Sequence, residues 1–297
     1  MNTLIRFWSL SVSARLGIVV AVGLVLLALL GPVFAPGDPD VLVGPPFGAP
    51  EPGHPLGYDQ LGRDILSRLL AGGRVTVLLA LVGVAGTYAI GLPLGVIAGL
   101  KGGRIDASIM RVLDVILAFP PLLFLLVLAA ASGVGPSVVF VAIVFGNVAW
   151  LARIARAATS EVRTRGYVDA ARLRGETLPS IVMREVVPNI AHTLYADVGM
   201  RFTTVILFVA GACYLGVGVQ PPHADWARMV SENMSGLTVA PVAVLAPVAL
   251  ITLLTVAINV AADGLQSGPA KPRQATQTKD AQHGTGLVPS HLEVGRD

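Results

Sequence analysis

The residue types that carry most protein chemistry are few and scattered in this chain. The five histidines, His54, His192, His223, His283 and His291, never form a His-x-x-x-His pair that would turn two ring nitrogens to one helix face for a metal. The one cysteine, Cys213, lies in an apolar run, which excludes an intrachain disulfide and a cysteine-based cluster and suits a small packing residue. No G-x-x-x-x-G-K-[ST] run occurs, and Lys101, Lys271 and Lys279 each follow a residue other than glycine, so the usual phosphate-cradling loop is missing. No G-x-S-x-G elbow supports a nucleophile. The chain reads as a non-enzyme with no metal, nucleotide or other cofactor site of its own. What remains is polar groups in unusual places: Asp114, Asn147, Asn259 and Asp263 within apolar stretches, and a basic loop around Asp169 to Pro188.

Those residues must be held by an apolar frame. Of the 297 residues, 54% are hydrophobic and 13% charged, whereas a soluble domain carries about 25% charged residues. The 33 glycines and 21 prolines would weaken soluble helices, yet both are common in membrane helices, whose neighbours satisfy the freed backbone groups. Six stretches have the length and apolarity to cross a hydrocarbon layer: 16–35, 75–100, 110–131, 137–157, 198–219 and 242–262. Segments of alternating hydrophobicity are lacking, which excludes a membrane barrel. The expected fold is all-α and polytopic, with six transmembrane helices. The first is read as retained, because its apolar run is long for a signal peptide and Pro36 follows the small-residue site.

Orientation follows from the loops. With both termini inside, most of the 21 Lys and Arg fall in cytoplasmic segments, including Arg6, Arg15, Lys101, Arg104, Arg111 and the run from Arg153 to Arg184. Outer segments hold only Arg63, Arg68, Arg74 and Arg228, and Arg201 sits just inside the fifth span. The basic residues never gather in one tract with interleaved aromatics, so nucleic acid is not an expected partner. The chain divides into a cytoplasmic N-terminus (1–15), a first span (16–35), an external segment (36–72), a five-span domain (73–264) with a cytoplasmic loop at 163–195, and a polar, disordered tail (265–297). In the external segment Leu61, Ile65, Leu66, Leu69 and Leu70 recur at helical spacing opposite Asp59, Arg63 and Asp64, which predicts an interfacial amphipathic helix.

Polar groups within spans are costly and mark functional candidates. Asn147, in the middle of the fourth span, is the first candidate for lining a path through the layer, with interhelical hydrogen bonding as its alternative. Asn259 and Asp114 are further path candidates; Asp114 and Asp263 also lie where they would neutralise nearby arginines. Gly83, Thr87, Gly91, Gly95 and Gly99 make a small-residue stripe suited to close helix packing. Pro93, Pro120 and Pro121 are expected to kink their spans. The segment YLGVGVQPPHADW, with Gly216, Gly218, Pro221 and Pro222, predicts a rigid outer turn ending in Trp226, a candidate interface anchor.

The basic loop reads YVDAARLRGETLPSIVMREVVPNI. Ala171 and Gly175, four apart, would leave one helix face without bulk, open to close approach by another protein and flanked by Arg172 and Arg174. Gly175 also costs about 1 kcal/mol in a helix relative to alanine, which predicts a bend or helix end there. A turn over Glu176 to Pro179 and a second helix stopped by Pro188 would follow. The segment resembles the EAA signature of permease subunits of bacterial ABC importers: Asp169 stands where the family usually has Glu, followed by Ala170, Ala171, Gly175, Ile181 and Pro188. Glu185 occupies a position often held by His. HPLGYDQLGRDILSRL, the run from Gly91 through FPPLLFLLVLA, YLGVGVQPPHADWARMVSEN and INVAADGLQ are similar, in order, to the C-type permease of dipeptide and oligopeptide importers and their nickel-importing relatives, over about residues 15 to 270.

That resemblance implies a type I ABC importer permease fold in a bacterial plasma membrane. It implies a homologous B-type permease, two cytoplasmic ABC ATPases that bind ATP and Mg, and an external solute-binding protein as partners. The loop would dock on the ATPase, and the outer turn would contribute to a gate or contact the binding protein. Two rivals are an ion-driven carrier, for which intramembrane acids are sparse, and a scaffold that recruits proteins through the basic loop.

Overall fold

The computed structural model describes residues 10–266. The expected tail beyond 266, and residues 1–9 of the N-terminal segment, lie outside the described residues. Among those described no strand forms; isolated β-bridges such as Leu42 to Arg63 and Tyr58 to Asp64 shape the segment before the second long helix.

Helix α1, Val12–Leu30, starts at Ser11, whose hydroxyl accepts the Ala14 N–H, a side-chain N-cap. It ends in a 3₁₀ turn, Gly31–Phe34, around Pro32. Helix α2, Ile65–Lys101, has 37 residues and at 1.5 Å per residue is about 55 Å long, more than a bilayer needs. Its cap is Asp64, which accepts both N–H and O–H of Ser67 at 2.7 and 2.6 Å. The helix runs through Pro93 without interruption.

The expected amphipathic helix is therefore corrected. The helix begins at Ile65 and continues straight into the second span. Asp59 and Arg63 lie in the loop before it, where Gly57 and Gly62 take φ of +74° and +83°, a left-handed geometry that ends any helix and favours glycine. A Cβ at Gly62 would stand 2.0 Å from the Gly44 carbonyl oxygen. The charges meant for water are buried instead.

The third stretch is broken rather than kinked. Helices α3, Gly103–Ala118, and α4, Pro121–Ser132, meet at 78°. Pro120 and Pro121 lack N–H groups and force Phe119 and Pro120 out of the helical region, to ψ of 125° and 123°. Helix α5, Pro136–Arg163, follows, then a short α6, Gly166–Leu173, and α7, Leu178–Ile181.

Pro188 does not stop the chain as expected. A π-turn, Val182–Val186, leads directly into α8, Val187–Tyr214, with Val187 N–H bonded to Val182 C=O. The wider turn shifts the hydrogen-bond register, and Pro188 falls in the first turn of α8, where a missing N–H costs little. Gly216, at φ +75°, terminates α8, and Val217 N–H returns to Ala212 C=O. Helix α9, Trp226–Asn233, and α10, Val242–Gln266, complete the described chain.

Five helical segments are long and apolar enough to cross a membrane, and the bent pair α3 and α4 is the sixth candidate. The small-residue stripe of α2 packs within this chain, on α5. A Cβ at Gly91 would lie 2.9 Å from the Val148 carbonyl oxygen, and one at Gly95 only 2.3 Å from that of Ala152. Helix α1 lies on α10 through Gly17 and Gly264, where added carbons would meet Ala261 and Ala14 at 2.9 and 2.0 Å. Its other face, with Leu16, Val19 and Leu26, is exposed, as a lipid-facing helix requires.

Candidate functional site

The loop at one end of the bundle folds into an elbow. Val168 and Ala171 of α6 turn inward and pack with Ile181, Val186 and Ile190, against Val96 and Leu100 of α2 and Leu151 of α5. The backbone then stops with Gly175 at φ +75°, Arg174 N–H on Ala170 C=O, and Glu176 N–H on Ala171 C=O at 3.2 Å. This is the glycine-terminated close of a helix.

The expected bare face formed by Ala171 and Gly175 is not present. Ala171 is fully buried, because an eight-residue helix must sink its small apolar side to be anchored at all. Gly175 lies past the helix end, and a Cβ there would meet nothing within 4 Å. The exposed surface belongs to Leu173, 90% accessible, and to Leu178 and Met183. Asp169, Arg174 and Pro188 are exposed too, Ala170 and Glu185 are half-buried, and Arg172 lies on α6. Arg174 donates to Glu176 Oε1 from Nη2 and Nε at 2.7 and 3.0 Å, and Ser180 Oγ donates to Oε2. Those bonds, Arg174 first, hold the Glu176 carboxyl below the usual range.

Asn147 is enclosed by its own chain. Its Nδ2 donates to Ile143 C=O, and its Oδ1 accepts from Arg201 Nη1 at 3.1 Å. Arg201 in turn pairs with Asp197 at 2.6 Å, and Tyr88 Oη lies 2.9 Å from Asp197 Oδ2. All are buried or half-buried among α2, α5 and α8, so Asn147 faces no open path within this chain. Asp197 and Arg201 escaped sequence reasoning as a pair, yet opposite charges four apart in an apolar run neutralise each other on one helix face. Asn259 joins α10 to α8, donating to Thr203 Oγ1 at 2.8 Å. Asp114 is exposed and ion-paired with Arg153, and Asp263 is exposed as well.

At the other end, Trp226 departs from its expected role as a surface anchor. It is fully buried, donates from Nε1 to Leu69 C=O at 2.7 Å, and lies where a Cβ at Gly73 would come within 2.4 Å. Gly216, Pro221 and Pro222 are exposed, while Gly218 is buried against Cys213. Beside them runs a buried network that takes in Asp59 and Arg63, two of the charges expected on the polar face of an amphipathic helix. Arg63 pairs with Asp59 at 2.7 Å and Glu232 at 2.9 Å, Arg68 with Glu232 at 3.1 Å, and Arg228 with Glu232 at 2.5 Å. Asn233 accepts the Gln60 N–H at 2.9 Å. Asp225, the cap of α9, accepts from Thr76 Oγ1 at 2.5 Å, and burial pushes its carboxyl up. Among the described residues no cluster of His, Cys, Asp and Glu is able to hold a metal.

A broken span, a long helix sealed on α5 by glycines and an elbow at one end define a polytopic helical membrane bundle. Two solved structures share this fold, both described as inward facing conformations of the MetNI methionine ABC transporter. One has a TM-score of 0.54 at 19% identity over 66% of this chain and 95% of that one; the other has 0.53 at 18% over 65% and 91%. Residues 91–268 match the family described as binding-protein-dependent transport system inner membrane component. A glutathione transport system permease protein, GsiD, of Pectobacterium atrosepticum is 34% identical over 73% of this chain and 72% of its own. A putative peptide transport system permease protein of Brucella suis is 36% identical over 86% of both. The chain belongs to the family of binding-protein-dependent transport system inner membrane components. It is a permease subunit of a bacterial ABC importer, and ATP is hydrolysed in other subunits.

Proposed function

We propose that this chain is the C-type permease of an importer for dipeptides, oligopeptides or a closely related solute such as glutathione, and that the elbow is where the motor grips it. The names of the similar permeases support the solute class. The observation that carries the coupling role is the asymmetry of the elbow. Its root is packed into the bundle through Val168, Ala171, Ile181 and Val186, while Leu173, Gly175, Leu178 and Met183 stand outside with no partner in this chain's core. A rigidly rooted apolar knob is what a second protein needs in order to move the helices behind it.

In this reading the elbow, with Asp169 to Pro188, docks on cytoplasmic ABC ATPases that bind ATP and Mg. A homologous B-type permease completes the path, and a solute-binding protein approaches the α9 end, near Gly216, Pro221 and Pro222. Both termini are cytoplasmic, in keeping with the Lys and Arg distribution. ATP-driven closure of the motor pulls the elbows together and opens the cavity outward; hydrolysis resets it. The test is Gly175→Glu in the complete transporter. It adds bulk and charge at the exposed helix stop and strains the backbone at φ +75°, and it is expected to leave ATP hydrolysis running while solute uptake falls about tenfold or more, the equivalent of about 1.4 kcal/mol. Uptake at the unsubstituted rate would remove the elbow from the coupling path.

A further inference from the structure

The break between α3 and α4 leaves a cleft of about 550 Å³, lined by Asp114, Phe119, Pro121, Gly146, Trp150 and Arg153 among others. Its volume falls within the range of roughly 300 to 1,000 Å³ usual for small-molecule sites. Gly146 keeps the floor low, since a Cβ there would stand 3.0 Å from Pro121 Cβ. Two aromatic side chains, Phe119 and Trp150, are each 54% exposed at its wall. Asp114 and Arg153 contact each other across it, with side chains 57% and 40% accessible.

Three ion pairs at the level of the spans invite comparison. Asp197 and Arg201 are buried in the bundle. Asp106 and Arg156 already lace α3 to α5, with Asp106 only 16% accessible. Arg156 is as accessible as Arg153, and it is the carboxylate at the cleft, Asp114, that is open where Asp106 is not. Charged side chains that face lipid are costly, so an exposed pair on a membrane helix belongs against water or another protein. An opposed carboxylate and guanidinium beside aromatic walls match a solute that carries both charges. A carboxylate accepts from an ammonium group, and a guanidinium grips a carboxylate with two parallel hydrogen bonds.

We propose that the cleft at the α3–α4 break is a transit site for the charged ends of a small zwitterionic peptide, Asp114 receiving its ammonium group and Arg153 its carboxylate. The two side chains hold each other when the site is empty and exchange partners when the solute enters. This rests on the reading of the chain as a peptide-type importer subunit.

The experiment is a double-mutant cycle in proteoliposomes holding the complete transporter, with trialanine and glutathione as labelled probes and the same binding protein throughout. Peptide moved per ATP hydrolysed is measured for Asp114→Asn, Arg153→Gln and the double substitution. If each side chain grips a different end of the solute, each single change lowers the ratio about tenfold and the double change lowers it clearly further, short of the full hundredfold product because the two side chains also contact each other. ATP hydrolysis stimulated by the binding protein persists in all three. If the pair serves only to tie α3 to α5, the double change costs no more than either single one, and that result overturns the site. Failure of either single variant to assemble with its partner chains overturns it too, since a transit site is not needed for assembly. Absence of ATP-dependent uptake of both probes by the unsubstituted transporter would instead overturn the peptide reading, and the site with it.

Discussion

The two ends of the bundle handle charge in opposite ways. At the α9 end, Asp59, Arg63, Arg68 and Glu232 are withdrawn from solvent and paired among themselves, while at the elbow Arg174 and Glu176, like Glu161 and Arg165, pair on the surface. The elbow instead buries small apolar residues. Buried ions repay their desolvation only when each is well matched, so such a network holds one geometry and tolerates no missing member. Surface pairs contribute little and leave the surface free to meet another protein. The α9 end is built as a fixed cap, and the elbow as a handle with a fixed root.

The largest effect should come from breaking the cap. Arg68 is fully buried and lies 3.1 Å from Glu232 and 3.4 Å from Asp59. Arg68→Ala takes one buried partner from two carboxylates that keep Arg63 and, at Glu232, Arg228, and loss of one buried partner typically costs about 3–5 kcal/mol. Thermal unfolding of the detergent-purified assembly is the measurement, and an unchanged midpoint would mean that the network is solvated. Next comes the root of the elbow. Ala171→Leu forces three more carbons against Ile181 and Val186, an overpacking cost of about 1–3 kcal/mol. Were Ala171 on the docking face instead, the same change would spare stability and abolish coupling, so unfolding and uptake measured together decide between the two.

A smaller effect on folding, with a larger one on function, is expected at the tip. Leu173→Asp alters an exposed side chain and should change stability by no more than about 0.5 kcal/mol. It should still lower the amount of solute moved per ATP, because the apolar knob offered to the motor is gone. Retained coupling would shift the grip to Met183 and Leu178.

Much of this contrast was legible in the residues, though not all for the right reason. Spans showed because twenty apolar residues have few other uses, and Gly175 marked the helix stop because only glycine takes a left-handed φ there without cost. The charges around Asp59 were misplaced because a 3.6-residue period was extended through Gly62. That glycine, together with the Asp64-x-x-Ser67 cap, was the local signal that the helix starts later. Ala171 has the same composition whether it faces a partner or the core, and only tertiary packing decides. Asp197 and Arg201 were hidden by the position of Asp197 at the edge of a basic loop, although their spacing is that of a self-neutralising pair. Trp226 read as an interface anchor because burial beneath a loop depends on Gly73, which is 153 positions distant in sequence.

The smallest effect belongs to the surface pair of the elbow. Arg174 and Ser180 hold Glu176 below its ordinary value of 4.5, so the folded elbow favours the ionised carboxylate. Whatever the pair contributes is then fully present above the ordinary carboxylate range, and is lost as pH falls through the lowered folded value. Between pH 8 and pH 6 nothing should change. On further acidification, amide hydrogen exchange at residues 174–180 should quicken relative to the root at Ile181 and Val186, after correction for the intrinsic pH dependence of exchange. Glu176→Gln should abolish that difference, and added salt should weaken it, as for any exposed pair. If the root loosened together with the tip, the elbow would be held by its charges rather than by Val168 and Ala171, and the contrast between the two ends would fail.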